Sequence, residues 1–461
     1  MSRTASNTPD FSARLSFWLL SAFLVILWIA GGASRADVWG QGIVRFFAWT
    51  FLIVFALFSS RFEWRRVKPI AILLGLSILL VALQLVPLPP SIWTALPGRE
   101  LFIQAAEVSG QPQPWRPLSI SPSATVNALG SLVVPVAVLV FGAQLSRDQH
   151  WRIAAVLLAL VFAGSLLALL QFSGARFGNP FINYQTGSVS GNFANRNHFA
   201  LFVGLGCLMV PVWALRGERT ARWKAAVAIG LLPFFLLVTL ATGSRAGIIL
   251  AGLGIASGLF LVRTEARREL ATLPRWGSAT IIAGALIGIT GAIVLSIKFG
   301  RAVGITRTLD LEAAQDLRSQ ALPYVIEALS RYFPMGAGFG TFDPAYRIGE
   351  PDQLLQPLYF NHAHNDWLEV VLEGGIAGAA LVIAALIWLI LTTIKVFRRS
   401  GRGGLLARTA AIAALLIMLA SVPDYPLRTP MIMAVLVMAG LWLHLGSRPA
   451  VDLSAADGGP S

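Results

Sequence analysis

Apolar stretches of membrane-spanning length recur along the whole chain, separated mostly by short polar segments. A helix of about 20 apolar residues crosses the roughly 30 Å hydrocarbon core of a bilayer. The pattern therefore predicts an all-α polytopic membrane protein with about twelve transmembrane helices. We place these at 15–31, 43–59, 69–87, 126–145, 152–173, 198–215, 224–241, 246–262, 277–297, 376–394, 405–422 and 430–446.

Composition supports a membrane protein. Hydrophobic residues make up 56% of the 461 positions and charged residues only 13%, whereas soluble domains are typically about a quarter charged. A chain this long with so few charges cannot cover a water-facing surface.

Charge is distributed very unevenly across the predicted membrane. Twelve spans put both termini on one side, which holds 22 of the 36 basic residues but only 8 of the 22 acidic ones. The whole net charge of +14 therefore lies on that side, and the positive-inside rule makes it cytoplasmic. We expect no nucleic-acid partner, because the basic residues are spread over short loops between helices rather than forming one soluble face.

Two long segments lie on the outer side and divide the chain. Residues 1–297 are predicted to hold nine spans, with a proline-rich outer segment at 88–125 that we interpret as a cap over the helices. Residues 298–375 form the large, partly helical outer loop, 376–446 hold the last three spans, and 447–461 are a cytoplasmic tail.

The large outer loop contains an arginine on an apolar helical face. Helical periodicity over 309–331 places Leu311, Ala314, Leu322, Val325 and Leu329 on one side, and Pro323 is expected to kink or split that helix. Arg318 falls on the same side. Its guanidinium requires either an anion or a route to the lipid interface, and both alternatives stay open at this point.

A glycine-rich stretch follows at 335–342. A dinucleotide site needs such a turn between a strand and a helix of a βαβ unit, and no parallel sheet is predicted anywhere. We interpret the stretch as a tight turn that returns the loop to the membrane.

The most polar cluster, at 361–378, holds two of the five histidines and directly precedes a span. Asp366 and Glu369 have the spacing of a capping box, so a helix is predicted to begin near Trp367 and to break at Gly374-Gly375. Asn365 and Asp366 then have a structural role. His364 lies just outside the helix start, where the positive end of the helix dipole favours a neutral, proton-accepting imidazole.

A metal site is the alternative interpretation of this cluster. His362-Ala363-His364-Asn365-Asp366 has the H-x-H-x-D spacing of some binuclear metal hydrolases, but such sites need further histidines. His150 and His444 are predicted on the cytoplasmic side, and Cys207 is the single cysteine and lies within a span. We therefore expect no metal and no other cofactor.

Other outer loops bring cations to the same membrane surface. Arg245 lies in a very short turn, His198 precedes a span, and Arg428 joins the last two spans. Together with Arg318 and His364 they predict a site with several arginines and one histidine. Such a site suits a diphosphate leaving group, because arginine binds phosphate oxygens bidentately and stays charged.

Several outer motifs, taken in order, resemble those of the O-antigen ligase and O-antigen polymerase superfamily of bacterial membrane glycosyltransferases. The motifs are Leu85-Val86-Pro87-Leu88-Pro89-Pro90 with Trp93, Pro117-Leu118-Ser119-Ile120, Gly191-Asn192-Phe193 with Asn197-His198, Thr242-Gly243-Ser244-Arg245-Ala246-Gly247, the Arg318 helix, Gly336-Ala337-Gly338-Phe339-Gly340, His364-Asn365-Asp366-Trp367-Leu368-Glu369 and Asp424-Tyr425-Pro426-Leu427-Arg428. The resemblance covers most of the chain.

The resemblance implies a GT-C-like helical fold in the bacterial inner membrane and a periplasmic active site. It implies transfer of a glycan from undecaprenyl diphosphate to an acceptor glycan or to lipid A–core. By motif, His364 matches the family's histidine, as general base, and Arg245 and Arg318 match its diphosphate-binding arginines. Arg428, His198 and Asn365 are secondary candidates for substrate binding, and His362 has no counterpart.

Two questions remain open from the sequence. The motifs do not separate ligases, polymerases and protein-glycosylating relatives, because all three use the same donor chemistry. A polysaccharide or lipid transporter is the alternative function. It is disfavoured because the predicted spans carry almost no charges at mid-bilayer depth, where transport pathways place them.

Overall fold

The computed structural model describes residues 11–59, 62–175, 178–183, 187–217, 222–271, 318–355, 360–399 and 404–448. Within these residues the protein is all-α, which confirms the predicted fold class, apart from a two-residue ribbon of β1 (Pro87–Leu88) and β2 (Arg116–Pro117). The helices are α1 (Phe11–Ala30), α2 (Trp39–Phe58), α3 (Lys68–Leu83), α4 (Pro90–Trp93), α5 (Glu100–Val108), α6 (Pro122–Ser131), α7 (Val133–Ala143), α8 (Arg147–Phe172), α9 (Arg196–Leu215), α10 (Arg222–Ala241), α11 (Arg245–Leu261), α12 (Arg263–Ala271), α13 (318–332), α14 (Phe342–Arg347), α15 (Asp366–Arg398), α16 (Leu405–Ala420) and α17 (Pro430–Gly446).

The helices agree with the predicted spans. Among the described residues, eight helical segments are long and apolar enough to cross a membrane, and α6 and α7 together make one of them. A ninth is the pair α11 and α12, which bends by 73°, and α16 and α17 are shorter apolar helices. The predicted span at 277–297 lies outside the described residues.

α9 is the central helix of the bundle. Of the 18-residue apolar stretch of α9, 83% of the residues are buried inside the protein. The corresponding share is 17% for the segment that contains α3 and for α15. Glycines let α11 pack closely on it: a methyl group on Gly254 would lie 2.6 Å from the carbonyl oxygen of Gly204, and one on Gly258 2.6 Å from that of Leu208. Small residues at such contacts let two membrane helices approach backbone to backbone.

Several helices begin at the same end of the bundle. Gly247 and Gly258 of α11 face Ala200 and Leu208 of α9, so α9 and α11 run parallel. The backbone N–H of Asp366, at the start of α15, donates to the carbonyl of Ser421, just after α16 ends. We call this end of the bundle, where α9, α11, α15 and α17 begin, the Asp424 face.

The predicted helix break in α15 is present and is fastened by the glycine-rich turn. Gly375 has φ 56° and ψ −148°, a conformation that favours glycine. The break frees the carbonyls of Leu372 and Glu373, which accept instead from the backbone N–H groups of Ala337 and Gly338, each at 2.9 Å. The turn therefore does return the outer loop to the membrane helices, as predicted.

The proline-rich segment packs as a cap against this loop. Trp93 is fully buried and its indole N–H donates to the carbonyl of Pro114 at 2.8 Å. The N–H of Ile120 donates to Ala337 at 2.9 Å, which joins the cap to the glycine-rich turn. Arg99 is buried with its guanidinium 5.4 Å from the ring centre of Tyr332 on α13.

The structure corrects two details of the predicted Arg318 helix. α13 continues without interruption through Pro323, so the proline does not split it. Its buried stripe consists of Ala321, Val325, Ala328 and Tyr332, whereas Leu322 is 43% exposed. Arg318 lies three residues before Ala321 and seven before Val325, and therefore still falls on the buried side of the helix. The predicted positions 309–317 lie outside the described residues.

Candidate active site on the Asp424 face

Asp424 is the centre of a polar site between α9, α15 and α17. Its side chain is 5% exposed and lies in the loop between α16 and α17. The Nδ2 of Asn197 donates to it at 2.7 Å, and the Nδ2 of Asn195 lies 3.2 Å from both carboxylate oxygens. Asn195 also caps α9 through the backbone N–H of Asn197 at 2.8 Å. The start of α9 is therefore fixed to Asp424.

Two imidazoles face the same carboxylate. The Nε2 of His198 lies 3.5 Å and the Nδ1 of His364 lies 3.4 Å from Oδ1 of Asp424. Burial alone would raise the pKa of Asp424, but His198 and His364 outweigh it and hold the pKa well below its usual range. Asp424 is thus a permanent anion between two histidines.

His364 is held in the neutral form. Burial lowers its pKa, and the charge of Arg318 lowers it further, against the opposing effect of Asp424. Nδ1 faces the carboxylate of Asp424, which accepts hydrogen bonds and does not donate them. This contact favours the tautomer with the proton on Nδ1, which leaves Nε2 as a proton acceptor.

The backbone at His364 is strained. Its φ is +49°, the one positive value among the non-glycine residues that the structure describes. Such a conformation costs roughly 1–2 kcal/mol for a side chain with a Cβ. Non-glycine residues are kept in this region mainly where the site requires a particular side-chain direction.

Tyr425 forms the wall against which the histidines lie. Its ring centre is 4.3 Å from that of His362, 4.9 Å from that of His364 and 5.0 Å from that of His198. Burial raises the pKa of its phenol, and the neighbouring Asp424 raises it further. Tyr425 is therefore a neutral ring in contact with three imidazoles.

The predicted capping box at Asp366 is wrong, although the helix begins where expected. Asn365 is the cap, and its side chain accepts from the backbone N–H groups of Trp367 and Leu368 at 3.0 and 3.1 Å. Glu369 instead accepts from the N–H of Ala363 at 2.9 Å and faces Nδ1 of His362 at 2.8 Å. Asparagine caps as well as aspartate, so the local sequence alone does not distinguish the two.

Three carboxylates surround Arg428, and we call this group the cage. Its guanidinium is 2.9 Å from Glu373, 3.4 Å from Glu369 and 3.7 Å from Asp366. Burial would lower the pKa of Arg428, but these carboxylates raise it above its ordinary value. Three carboxylates surround this guanidinium, so the contacts indicate a structural role for the cation.

The structure brings some of the predicted residues together and leaves one apart. The charge of Arg318 lowers the pKa of both His364 and Tyr425, so Arg318 lies near this site. Arg245 begins α11 on the same face and is exposed, but none of the described contacts joins it to His364 or Asp424. The structure therefore places Arg318 near the site, whereas no described contact links Arg245 to it.

The described residues contain no group of three or more histidine, cysteine, aspartate or glutamate side chains arranged to hold a metal. His362 and His364 face different carboxylates, Glu369 and Asp424. Their spacing in the sequence therefore does not produce a shared ligand set.

Residues 230–383, from within α10 to the middle of α15, match the O-antigen ligase family. This match covers 154 of the 461 residues and supports the resemblance to the O-antigen ligase and polymerase superfamily. The match contains Arg245, Arg318 and His364, while Asp424 and the start of α9 lie outside it. A comparison with curated proteins gave no significant match. The family match and the apolar helices support a multi-pass membrane glycosyltransferase of the general ligase or polymerase type.

The acidic residues were not predicted from the sequence as members of the site. Asp424 contacts residues more than 220 positions away, and no local pattern reveals such a partner. A signal was available for the cage. Asp366, Glu369 and Glu373 have the spacing i, i+3 and i+7, which puts three acids on one face of a helix that enters the membrane.

Proposed function

We propose that this O-antigen ligase family member transfers a glycan from undecaprenyl diphosphate to an acceptor hydroxyl at the periplasmic face of the bacterial inner membrane. The observation that carries the proposal is the buried pair of His364 and Asp424, with Arg318 nearby at the start of α13. Such a transfer requires a neutral base, an anion that stabilises the base once it is protonated, and a cation for the leaving diphosphate. His364, Asp424 and Arg318 supply these three groups in this proposal.

The base in this proposal is Nε2 of His364. It accepts the proton of the acceptor hydroxyl while the hydroxyl oxygen forms a bond to the anomeric carbon of the donor sugar. The bond between that carbon and the diphosphate oxygen breaks, and undecaprenyl diphosphate leaves with the electron pair. Asp424 stabilises the imidazolium through Nδ1, 3.4 Å away.

Arg318 and Arg245 bind the diphosphate in this proposal. Charge grows on the leaving oxygen as the glycosyl bond breaks, and a guanidinium that is always protonated stabilises it without a metal ion. We therefore propose a metal-independent reaction.

The remaining candidates act by positioning. His198 lies beside Asp424 at 3.5 Å and helps to fix it, and Asn365 caps α15 directly after His364. Arg428 gathers the carboxylates at the start of α15, one of which holds His362. None of these three side chains has to contact the substrate to support the reaction.

The side of the membrane follows from charge. The Asp424 face lies at the end of the helices opposite the arginine-rich loops that begin α8 and follow α9. If the arginine-rich end is cytoplasmic, the site is periplasmic and both termini are cytoplasmic. The donor is then lipid-linked, because nucleotide sugars are made in the cytoplasm.

The test uses purified protein in proteoliposomes with a fluorescent undecaprenyl-diphosphate-linked glycan, an acceptor glycan and a chelator. We expect a new glycosidic product and an equal amount of undecaprenyl diphosphate. Movement of the donor across the bilayer without any product would contradict the proposal and favour the transporter alternative.

Gel analysis of polysaccharide from a deletion strain separates the branches. Long chains that stay on the lipid carrier indicate loss of a ligase, and single repeats indicate loss of a polymerase. Unchanged polysaccharide in that strain would argue against either role.

A further inference from the structure

A second charged site lies at the opposite end of the bundle from Asp424. Gln171, at the end of α8, holds the backbone of Gly191 near the start of α9, so α8 and α9 run antiparallel. The start of α8 and the end of α9 therefore meet at the other end of the bundle, about 30 Å from Asp424 along the 20 residues of α9. A cavity of about 500 Å³ opens there.

We propose that this cavity binds a phosphate-bearing anion, with an anionic phospholipid headgroup as its source. Three arginines line it: Arg147 and Arg152 from α8 and Arg216 from the end of α9. The other lining residues are Asp148, Trp151, Gly217 and Leu405. The cavity thus collects three positive charges and one negative charge in a concave space, which is the arrangement that a phosphate group requires.

One guanidinium is already oriented. The Arg216 guanidinium lies 4.8 Å from the ring centre of Trp151. Stacking on an indole ring fixes the plane of a guanidinium but uses its face, so the N–H edge stays available for hydrogen bonds to an anion.

A helix start adds to the positive potential. Leu405 is the first residue of α16, a 16-residue helix that has Gly404 as its N-cap and no side-chain cap. The N–H groups of an uncapped first turn point out of the helix and favour an anion. This contribution is secondary to the arginines, but it acts on the same cavity.

Location favours a lipid as the source. The cavity lies at the ends of three apolar helices, α8, α9 and α16, and its volume exceeds what an isolated phosphate ion fills. Basic pockets between transmembrane helices on the cytoplasmic side are suited to anionic lipid headgroups. The proposal does not depend on glycan transfer at the Asp424 face.

The test is native mass spectrometry of the full-length protein with phosphatidylglycerol, cardiolipin or phosphatidylethanolamine. We expect selective retention of the anionic lipids. The double variant Arg152→Gln/Arg216→Gln should weaken that retention about 30-fold, since each basic residue near a lipid surface contributes roughly fivefold. The variant Arg152→Lys/Arg216→Lys keeps the charge and should retain an intermediate affinity.

Arg263→Gln is the matched control. Arg263 lies at the same end of the bundle, where α12 begins, but packs on Phe260 outside the cavity. It should bind anionic lipid as the unaltered protein does. Equal retention of anionic lipid by the double variant and this control would overturn the proposal. A competing arm with inorganic phosphate alone decides the source, because thermal stabilisation by phosphate without lipid retention would overturn the lipid assignment.

Discussion

The pairing of Asp424 with His364 gives the most quantitative prediction. Asp424→Asn keeps the shape of the side chain and removes its charge. Oδ1 lies 3.4 Å from Nδ1 of His364, and the two side chains are only 5% and 15% exposed. Two unit charges at that distance attract by about 5 kcal/mol at an effective dielectric constant of about 20, as an upper bound.

This attraction exists only after the imidazole has taken up a proton. It therefore stabilises the transition state and not the resting site. Loss of about 5 kcal/mol corresponds to a rate reduction of between roughly 10³- and 10⁴-fold, and general bases typically contribute about 10²- to 10⁴-fold. We expect Asp424→Asn to lower the transfer rate by roughly 10²- to 10⁴-fold.

The assay is the initial rate of transfer in proteoliposomes, measured against pH. The rate of the unaltered protein falls as the pH drops through the pKa of His364, because the protonated ring accepts no further proton. Asp424 raises that pKa, so its loss should move the acidic limb to lower pH while the plateau falls.

Asp343→Asn is the control for this substitution. Asp343 is a partly exposed carboxylate on α14 that pairs with Arg347 at 2.7 Å, away from His364. It should transfer at nearly the normal rate. An Asp424→Asn protein that keeps a tenth or more of the activity, or an acidic limb that moves to higher pH, would refute the role of the carboxylate.

Three further predictions concern other parts of the site and its scaffold. Arg318→Lys should lose most transfer activity, because lysine cannot make a bidentate phosphate contact. Arg331→Lys, on the same helix, is the control and should keep its activity. Equal transfer rates for the two variants would argue against diphosphate binding by Arg318. Arg428→Gln should lower the unfolding free energy by about 3–5 kcal/mol, because three buried carboxylates lose the cation that they share. Thermal unfolding in detergent measures the loss, and a value below about 1 kcal/mol would contradict the cage. Gly375→Ala should prevent stable folding, because its Cβ would lie 2.2 Å from the carbonyl oxygen of Pro334, while Gly252→Ala, with open space around it, should be tolerated.

The membrane architecture could be predicted because it depends on local pattern. Each predicted span among the described residues coincides with an apolar helix, and the break at Gly375 was readable from the Gly374-Gly375 pair. Length and apolar composition suffice for such predictions, since a backbone in lipid must form its own hydrogen bonds.

The site was less predictable because its contacts are long-range. His364 was selected from its position before a helix, but its carboxylate partner lies 60 residues later in another loop. The sequence made Arg428 a further candidate for phosphate binding, but in the structure three carboxylates of α15 surround its guanidinium. A sequence shows that both signs of charge are present on one membrane face. Only the fold shows which of these charges neutralise each other.

The role of His364 as base is tested most directly by measuring donor binding and transfer on the same preparation of His364→Ala protein. We predict that binding of the undecaprenyl-diphosphate-linked glycan stays within about threefold of normal and that transfer falls at least about 10²-fold. His444→Ala, at the opposite end of α17, should change neither quantity. Transfer at the normal rate by the membrane-inserted His364→Ala protein would contradict the account.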